Sequence, residues 1–216
     1  LNNFPMTQLI FKSVEADDII SFVCQMPEYK GWQKVVISSD KDFFQILDDE
    51  TVVYRPIQNE VLNKKAIVEK FGIHPTNFAL ARAIVGDKSD NLEGIKGVGL
   101  PTVAKRLPFL AEEKAYTITE VLEHCKKAPL DLKAYTNIVE NPETIQQNYK
   151  LMQLYSPMLS VQNKNKIRYI TKNTDLTFNK TNTNAMMFED GIGDTNWSDL
   201  FVTFKKITLD GKEVKK

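Results

Sequence analysis

Three short acidic stretches carry the side chains of this sequence that are best suited to chemistry. Each stands at the end of an apolar run and groups carboxylates within a few residues, at 14–18, 39–42 and 86–91. Hard divalent cations such as Mg²⁺ prefer oxygen ligands of this kind. The sequence has two histidines, His74 and His124, and neither has a spacing suited to a zinc site or a nucleophile–base pair. The residue types therefore favour metal-dependent hydrolysis over His-based zinc or triad chemistry.

A glycine-rich loop at 94–99 follows the third acidic stretch directly. Glycines can take positive φ and let a phosphate approach the backbone, and a following helix N-terminus adds free N–H groups and its dipole. A lone Gly-x-Gly is more often a plain turn, but its place between the acids and a basic helix favours phosphate binding. The predicted DNA-binding residues are Gly94, Lys96, Gly97, Val98, Gly99, Thr102, Lys105 and Arg106.

The net charge is neutral, with 28 basic and 28 acidic residues, which does not by itself indicate a polyanionic partner. The charges are unevenly placed, however. Acids concentrate in the three stretches, whereas lysines gather at 96–106, at 126–133 and at the C-terminus. A local phosphate-binding face is therefore compatible with the composition, although long-range steering of a nucleic acid is expected to be weak.

The elements that must position these acids alternate between strand and helix in the first part of the chain. Hydrophobic periodicity predicts strands at 7–12, 35–37 and 51–54, a helix at 16–26 and a short helix through 43–47. Strands that are nearly all apolar and alternate with helices indicate a parallel sheet covered on both faces. Since the carboxyl ends of parallel strands meet at one edge, the first two acidic stretches are expected to converge there.

From about residue 63 the pattern becomes helical. Start and stop signals predict helices from Asn63 to Gly72, from Pro75 through Val85, from Pro101 through Leu107, and near 117–127, 131–140 and 142–155.

The last part of the chain gives a weaker signal. Residues 171–184, rich in Thr, Asn and Lys, indicate a linker or extended surface segment. Beyond it, an apolar stripe recurs at helical spacing, formed by Trp197, Leu200, Phe201, Phe204 and Ile207. The pair Asp210-Gly211 could instead form a hairpin turn that competes with a helix.

The acidic stretches and the glycine loop, in this order and spacing, resemble the signature of the 5′-nuclease, or flap endonuclease, superfamily. The likeness is carried by residues 14–20, 39–42 and 86–99 and extends over about 7–160. Within the superfamily, the sequence is similar to the 5′-nuclease domain of bacterial DNA polymerase and to phage 5′–3′ exonucleases, including the phage ribonuclease H. The resemblance implies a two-metal phosphodiesterase that acts at a DNA or RNA 5′ end or flap.

The resemblance also implies roles for individual residues. The implied metal-binding carboxylates are Glu15, Asp17, Asp18, Asp40, Asp42, Asp87 and Asp90. Of these, Asp17, Asp40, Asp42 and Asp87 are the implied catalytic residues. The implied cofactors are two Mg²⁺ or Mn²⁺ ions, with K⁺ held by carbonyls of the glycine loop. The competing interpretation is that these acids cap helices, because Asp is favoured at N-caps and in first turns.

With the resemblance, the expected fold is α/β: a parallel-sheet nuclease core with helices on both faces, followed by a helix–three-turn–helix region. The expected divisions are the core at 1–86, a helical duplex-binding region at 87–170, and a linker with a C-terminal appendage at 171–216. Relatives carry a substantial portion ahead of the first acidic stretch, which this sequence reaches at residue 14. We therefore expect either a fragment or a chain whose N-terminal half is a separate polypeptide, able to bind metal and duplex but to cleave poorly alone.

The expected partners are DNA with a 5′ flap or end, an RNA–DNA hybrid and the missing N-terminal half. The apolar stripe could dock a sliding clamp or a single-strand-binding protein, although such stripes more often pack on the protein's own core. No membrane partner is expected, since no apolar run is long enough to span a bilayer. Cys24 and Cys125 follow no metal or redox spacing and indicate reduced thiols in a bacterial or phage-infected cytoplasm.

Two alternatives to an active nuclease stay open at this stage. One is a non-catalytic branched-DNA-binding subunit that needs a partner for activity. The other is a phosphatase that uses the same carboxylates on small phosphomonoesters, which predicts no salt-dependent affinity for DNA.

Overall fold

A computed structural model describes residues 3–128, 132–174, 176–192 and 196–214, with backbone alone at 197 and 209–214. The chain divides into two compact units, which are residues 14–159 and residues 1–13 together with 160–216. Each unit has its own packed interior. Among the described residues, no helix combines the length and the apolar character needed to cross a membrane.

The larger unit contains a three-stranded mixed sheet in the order β1-β2-β3. Its strands are β1 (Lys34–Ile37), β2 (Thr51–Arg55) and β3 (Glu60–Leu62). β1 and β2 run parallel, and β3 returns antiparallel to β2. The α/β class is thus confirmed, and the sheet is mixed because a short connection turns the chain back at Asn59, which has a positive φ of 48°. Asn tolerates this left-handed conformation better than most residues.

The two faces of the sheet differ in burial. On one face, Val36, Val53 and Leu62 are at most 6% exposed and form part of the core. On the opposite face, Val35 and Ile37 are 54% and 69% exposed. Apolar side chains at such exposure leave this face of the sheet open to solvent or to another polypeptide.

The helices of the larger unit follow the predicted order closely. They are α1 (Ala16–Cys24), α2 (Lys64–Phe71), α3 (Pro75–Val85), α4 (Leu100–Arg106), α5 (Ile118–Lys127), α6 (Lys133–Glu140) and α7 (Pro142–Met152). Short 3₁₀ helices stand at Pro27–Tyr29, Asp42–Ile46 and Pro108–Ala111. The predicted start at Asn63 is confirmed, because its side chain accepts a hydrogen bond from the Ala66 N–H at 2.9 Å. The predicted stop at Gly72 is confirmed by its left-handed φ of 66°.

The core of the larger unit is built around α3. Phe78 on this helix is fully buried and packs edge-on against Phe44, with ring centroids 5.4 Å apart. Phe71 completes the aromatic group at 5.6 Å from Phe78. Asn77, also fully buried, donates to the carbonyls of three residues in the segment that follows α4 and accepts from the Tyr116 N–H. Such burial and hydrogen bonding make α3 the fixed element on which the candidate site stands.

The smaller unit consists of helices α8 (Val161–Asn173), α9 (Lys180–Glu189) and α10 (Trp197–Val214) with the N-terminal residues. Phe204 of the apolar stripe packs against Phe4 and Phe178, with ring centroids at 5.4 and 5.2 Å. Phe201 packs against Phe178 at 5.5 Å and is 9% exposed. These two residues of the stripe therefore belong to the interior of this unit.

Three expectations about elements were wrong. Residues 7–12 form no strand. Residues 171–184 are not one linker, because α8 continues to Asn173 and α9 begins at Lys180. The Asp210-Gly211 pair lies within α10 and forms no hairpin, since the helix continues through it. The division of the chain at 86 and 170 stays a prediction.

Candidate metal centre

Arg82 is the charged residue on which the candidate site is built. It lies on α3, in an otherwise apolar part of the helix, and is 8% exposed. Its Nε donates to Asp42 Oδ1 at 2.9 Å, and its terminal NH₂ donates to Asp87 Oδ2. A buried guanidinium needs such partners, because removing an unpaired charge from water is costly. Arg82 thereby ties the start of the 3₁₀ helix Asp42–Ile46 to the residue that follows α3 and Gly86.

Asp42, Asp87 and Asp90 form the group with the geometry of a cation site. One carboxylate oxygen from each lies within 4.8 Å of those of the other two. Asp42 and Asp87 are largely buried, with side chains 13% and 17% exposed, and Asp90 is exposed to solvent. Three carboxylates with one open side suit a hard cation that retains several waters, as Mg²⁺ does. Each carboxylate oxygen has more than one lone pair, so hydrogen bonds from Arg82 do not exhaust their capacity.

The third acidic stretch forms a closed loop that turns Asp90 back toward Asp87. The backbones of Asp87 and Leu92 exchange two hydrogen bonds, at 2.8 and 2.7 Å. Asn91 takes a left-handed φ of 56° and lets the chain reverse inside this bridge. Asp87 Oδ1 also accepts from the Ser89 N–H at 2.8 Å. The spacing Asp-Lys-Ser-Asp therefore brings two carboxylates together because the loop between them closes.

Gly86 and Gly94 let the two ends of this loop meet backbone to backbone. A Cβ on Gly94 would stand 1.7 Å from the Val85 carbonyl oxygen, and one on Gly86 would stand 2.3 Å from the Gly94 nitrogen. The buried amide of Asn148 on α7 fastens this contact by donating to the carbonyls of Ala83 and Glu93, at 3.0 and 2.8 Å. Gly94, a predicted DNA-binding residue, is thus explained by close packing.

The pKa values of the two buried carboxylates shift in opposite directions. Burial raises the pKa of Asp42 above its usual range, against the lowering effect of the Arg82 guanidinium. Burial also opposes ionisation of Asp87, but hydrogen bonds from Ser89 and Arg82 outweigh it and lower the pKa of Asp87 to about 2. Burial opposes the charge on Arg82 as well, yet Asp42 and Asp87 raise the pKa of the guanidinium on balance. Burial therefore dominates at Asp42, whereas hydrogen bonds dominate at Asp87, although both acids share one arginine.

Asp40 lies next to this group and shapes it through the backbone. Its Oδ1 accepts from the Asp42 N–H at 2.9 Å, and its own N–H donates to Ser38 Oγ at 3.1 Å. Its charge also contributes to the raised pKa of Asp42. Asp40 therefore fixes the turn after β1 that presents Asp42 to Arg82.

The first acidic stretch stands apart from the Asp42–Asp87–Asp90 group. Glu15 occupies the N-cap position of α1 without a side-chain capping bond, and Asp17 and Asp18 lie in the first turn. Asp18 Oδ1 accepts from the Met158 N–H at 3.0 Å. Within the described residues, no grouping of three or more candidate ligands includes these acids. The expected convergence at a sheet edge lacks its first strand, because residues 3–14 contain no strand.

The glycine loop presents backbone at its tip and core residues at its base. Gly97 has a positive φ of 77°, and a Cβ there would meet open space. Val98 is 5% exposed and belongs to the core, so only its backbone could face a phosphate. Gly99 is the N-cap of α4, which carries Thr102 and the basic residues Lys105 and Arg106. The loop is anchored by Asn137, which donates to the Lys96 carbonyl at 2.9 Å.

Sequence reasoning missed Arg82 and Asn148. A signal for Arg82 was present: a single cation in the apolar segment Ala79–Val85, five residues before an acidic stretch, needs a buried counter-charge. No comparable signal marks Asn148, whose role depends on the packing of α7 against α3.

The family described as "5′-3′ exonuclease, N-terminal resolvase-like domain" matches residues 1–72. A 5′-3′ exonuclease of Aquifex aeolicus is 30% identical over 158 residues, which cover 73% of this chain and 50% of that protein. The chain is thus similar to members of the 5′-nuclease superfamily. It spans about half the length of the Aquifex relative, at 50%.

Two further matches are a bacterial polymerase and a phage enzyme. The thermostable DNA polymerase I of Thermus thermophilus is 34% identical over 101 residues, covering 47% of this chain and 12% of the polymerase. A bacteriophage T5 flap endonuclease in complex with DNA and metal ions superposes with a TM-score of 0.63 at 18% identity, covering 76% of this chain and 62% of that one. At this identity the T5 likeness shows the fold alone.

Proposed function

We propose that this 5′-nuclease family member hydrolyses phosphodiesters at DNA 5′ ends or flaps with divalent cations, Mg²⁺ or Mn²⁺, held by its acidic stretches. The observation that carries the proposal is the group of Asp42, Asp87 and Asp90, oriented by the buried Arg82. When bound, such ions would lower the pKa of a water and stabilise charge that develops on the scissile phosphate. We further propose RNA–DNA hybrids as substrates, which would make primer removal a use of the same chemistry.

Within this proposal the residues of the chain have distinct tasks. Asp42, Asp87 and Asp90 would hold the first ion, and Arg82 would keep Asp42 and Asp87 in place for it. We propose that the second ion is held by the remaining carboxylates that the family resemblance implies as metal ligands, which are Glu15, Asp17, Asp18 and Asp40. Two carboxylate groups fit the two-metal arrangement in which the attacking and leaving oxygens are stabilised together.

The test is cleavage of a fluorescent 5′-flap duplex by the full chain in Mg²⁺ or Mn²⁺. Asp87→Asn and Asp90→Asn should each reduce cleavage by at least about a hundredfold, since each removes a ligand charge. Duplex affinity, measured with Ca²⁺ in place of Mg²⁺, should stay nearly unchanged. Glu123→Gln, an exposed acid on α5, is the matched control and should cleave as the wild type does. Equal activity of Asp90→Asn and Glu123→Gln would refute the proposal.

We propose that the glycine loop holds the backbone of the duplex beyond the cleavage point. The exposed tip at Gly97, the N-terminus of α4 and the side chains of Lys96, Thr102 and Lys105 support this assignment. We also propose that carbonyl oxygens of this loop bind K⁺. Lys96→Ala with Lys105→Ala should weaken duplex binding uniformly across sequences. It should also reduce the slope of the logarithm of the binding constant against the logarithm of the salt concentration by the amount expected for about two lost phosphate contacts. An unchanged salt slope would contradict it.

A second candidate is a branched-DNA-binding subunit that needs another polypeptide for cleavage. The exposed sheet face favours it: Val35, Ile37 and Val61 are 54%, 69% and 62% exposed, and β1 forms the outer strand of the sheet. Parallel sheets are normally covered on both faces, so a further polypeptide is expected on this one. The partner we propose is the N-terminal half of the family's nuclease core.

Cleavage by the 216-residue chain alone separates the two candidates. Turnover comparable to that of the full-length Aquifex relative would reject the need for a partner. The need for a partner would be supported if the chain alone cleaves slowly and addition of a complementing N-terminal polypeptide raises the rate. The same addition should not raise the rate of the double variant Val35→Lys with Ile37→Lys. We propose a cytoplasmic location for either form.

We also propose that a sliding clamp or a single-strand-binding protein docks on α10. Such a partner would use the surface of α10 that does not include Phe201 and Phe204, because these two side chains pack inward.

A further inference from the structure

Helix α8 (Val161–Asn173) differs in charge from the other described helices. It carries four cations, namely Lys164, Lys166, Arg168 and Lys172, and its sequence has no acidic residue. The helix begins at Ser160, whose hydroxyl accepts from the Asn163 N–H at 3.1 Å. Its residue Ile167 is fully buried, so one side of the helix is packed. The cations are therefore presented on a formed and oriented helix.

The side of α8 opposite Ile167 is a polar face with one large aromatic. At about 100° per residue, the residues on this side span roughly a third of the circumference. They are all exposed, and they are Gln162, Asn165, Lys166, Tyr169, Lys172 and Asn173. Tyr169 is 70% exposed and stands three residues from Lys166 on one side and three from Lys172 on the other.

Among the residues that the structure describes, neither Lys166 nor Lys172 forms an ion pair with an acid. A tyrosine exposed to this degree contributes little to the interior of the smaller unit. Lys166 Nζ lies 5.4 Å from the centroid of the Phe11 ring, which keeps this cation close to the helix surface. An aromatic ring flanked by cations and amides, on a helix whose own sequence contains no acid, offers a stacking platform between phosphate contacts. Unpaired bases have accessible ring faces, whereas those of a duplex are stacked inside it.

We propose that the exposed face of α8 binds single-stranded nucleic acid, with a base stacked on Tyr169 and phosphates held by Lys166 and Lys172. The inference rests on the proposed function in one respect, that the substrate includes a strand with unpaired bases. It assigns that strand a contact outside the acidic stretches and the glycine loop. Base–aromatic stacking tolerates any sequence, so the face is expected to bind without strong sequence preference.

The test measures binding of a fluorescein-labelled dT20 to the full chain by anisotropy, in EDTA and at several KCl concentrations. Tyr169→Ala should weaken binding about tenfold, and Tyr169→Phe should restore most of it, because the ring rather than the hydroxyl stacks. The salt dependence is the slope of the logarithm of the binding constant against the logarithm of the KCl concentration. Lys166→Ala with Lys172→Ala should reduce the size of this slope by about 1.4, or about 0.7 for each lost phosphate contact on a single strand. Lys30→Ala with Lys65→Ala, exposed lysines of the larger unit, is the matched control and should leave the slope unchanged.

Three results would overturn the proposal. The first is wild-type affinity for dT20 in Tyr169→Ala when circular dichroism shows the normal fold. The second is an equal loss in the Lys30 and Lys65 control. The third is displacement of dT20 by poly-glutamate as readily as by unlabelled dT20, which would indicate a face for any polyanion. The binding test is done in EDTA and therefore does not depend on cleavage, so it can succeed even if the chain does not cleave. Conversely, normal dT20 binding by Tyr169→Ala would overturn this inference without affecting the proposed cleavage of flaps.

Discussion

The two acidic regions of the larger unit are held in place by different means. Asp42 and Asp87 share one buried arginine, so two segments of chain are locked by charge-assisted hydrogen bonds. Asp17 and Asp18 sit in the first turn of α1, where Asp18 accepts from the Met158 backbone and Asp17 from the N–H of its neighbour. A side-chain charge therefore holds Asp42 and Asp87, whereas the acids of α1 are held by hydrogen bonds from backbone N–H groups.

This difference bears on how a two-metal site can be assembled. A group that is already ordered by an internal cation can receive an ion with little rearrangement, which lowers the cost of binding. The acids of α1 have no such buried cation, although α1 packs beside the 3₁₀ helix Asp42–Ile46. We therefore expect the Asp42–Asp87–Asp90 group to bind an ion independently of the α1 acids. Four predictions test that asymmetry.

The largest effect is expected from Arg82→Met. This substitution keeps the apolar stem but leaves Asp42 and Asp87 buried without their cation, and should lower the free energy of unfolding by about 3–5 kcal/mol. Lys65→Met, which removes an exposed pair with Glu69, is the control and should cost at most about 0.5 kcal/mol. Urea unfolding in EDTA measures both. A loss for Arg82→Met no greater than for Lys65→Met would show that the arginine does not hold the group together.

The sequence predicted the acids of this group and the helices around them, because both leave local signals. The capped helix from Asn63 to Gly72 and the helix from Pro75 through Val85 depend on nearest neighbours in sequence, and the structure has both. Local turn chemistry likewise places Asp42 after β1. What the sequence could not give is the pairing of Asp42 with Arg82, forty residues later, which exists only after α3 packs on the 3₁₀ helix.

The errors have the same origin. Residues 7–12 have a strand's composition but no strand to pair with, and composition alone cannot supply a partner. β3 was missed because three residues, Glu60–Leu62, are too few to show a period and depend on pairing with β2. The predicted meeting of Glu15 with the later acids relied on that absent strand, so the arrangement of the α1 acids could not be derived from it.

The second prediction concerns divalent cations. Mn²⁺ at a hundred times its dissociation constant should stabilise the wild type by about 2.7 kcal/mol, if it binds the folded chain alone. Asp90→Asn should remove most of this gain, while its stability in EDTA should change little because Asp90 is exposed and makes no contact with Arg82. Asp17→Asn should retain most of the gain. Thermal unfolding with and without Mn²⁺ decides the matter, and equal losses in both variants would mean that the two acidic regions bind as one unit.

The third prediction is a pH dependence of opposite sign for the two acids that Arg82 binds. The pKa of Asp87 falls from 3.8 to about 2 on folding, so its contribution is fully present above about pH 4 and is lost as the pH falls toward 2. The pKa of Asp42 is raised above 3.8, so ionisation of Asp42 costs stability as the pH rises just above 4.

Urea unfolding in EDTA from pH 2 to pH 6 should reveal both effects. The advantage of the wild type over Asp87→Asn should shrink by no more than about 2 kcal/mol as the pH falls from 4 to 2. Relative to Asp42→Asn, the wild type should instead lose stability as the pH rises from 4 to 6. Parallel curves for the two variants would contradict the inference that hydrogen bonds outweigh burial at Asp87 but not at Asp42.

The smallest effect is expected at α1, where backbone rather than an arginine holds the acids. Asp18→Ala removes the acceptor of the Met158 N–H and should cost about 1 kcal/mol, the usual net value of one hydrogen bond. Asp17→Ala is the matched control, since it also removes a first-turn carboxylate but only a bond to the adjacent N–H. The two substitutions weaken the interaction with the helix dipole alike. The difference between them in urea unfolding therefore isolates the Met158 bond, and a difference near zero would mean that this bond does not stabilise the folded chain.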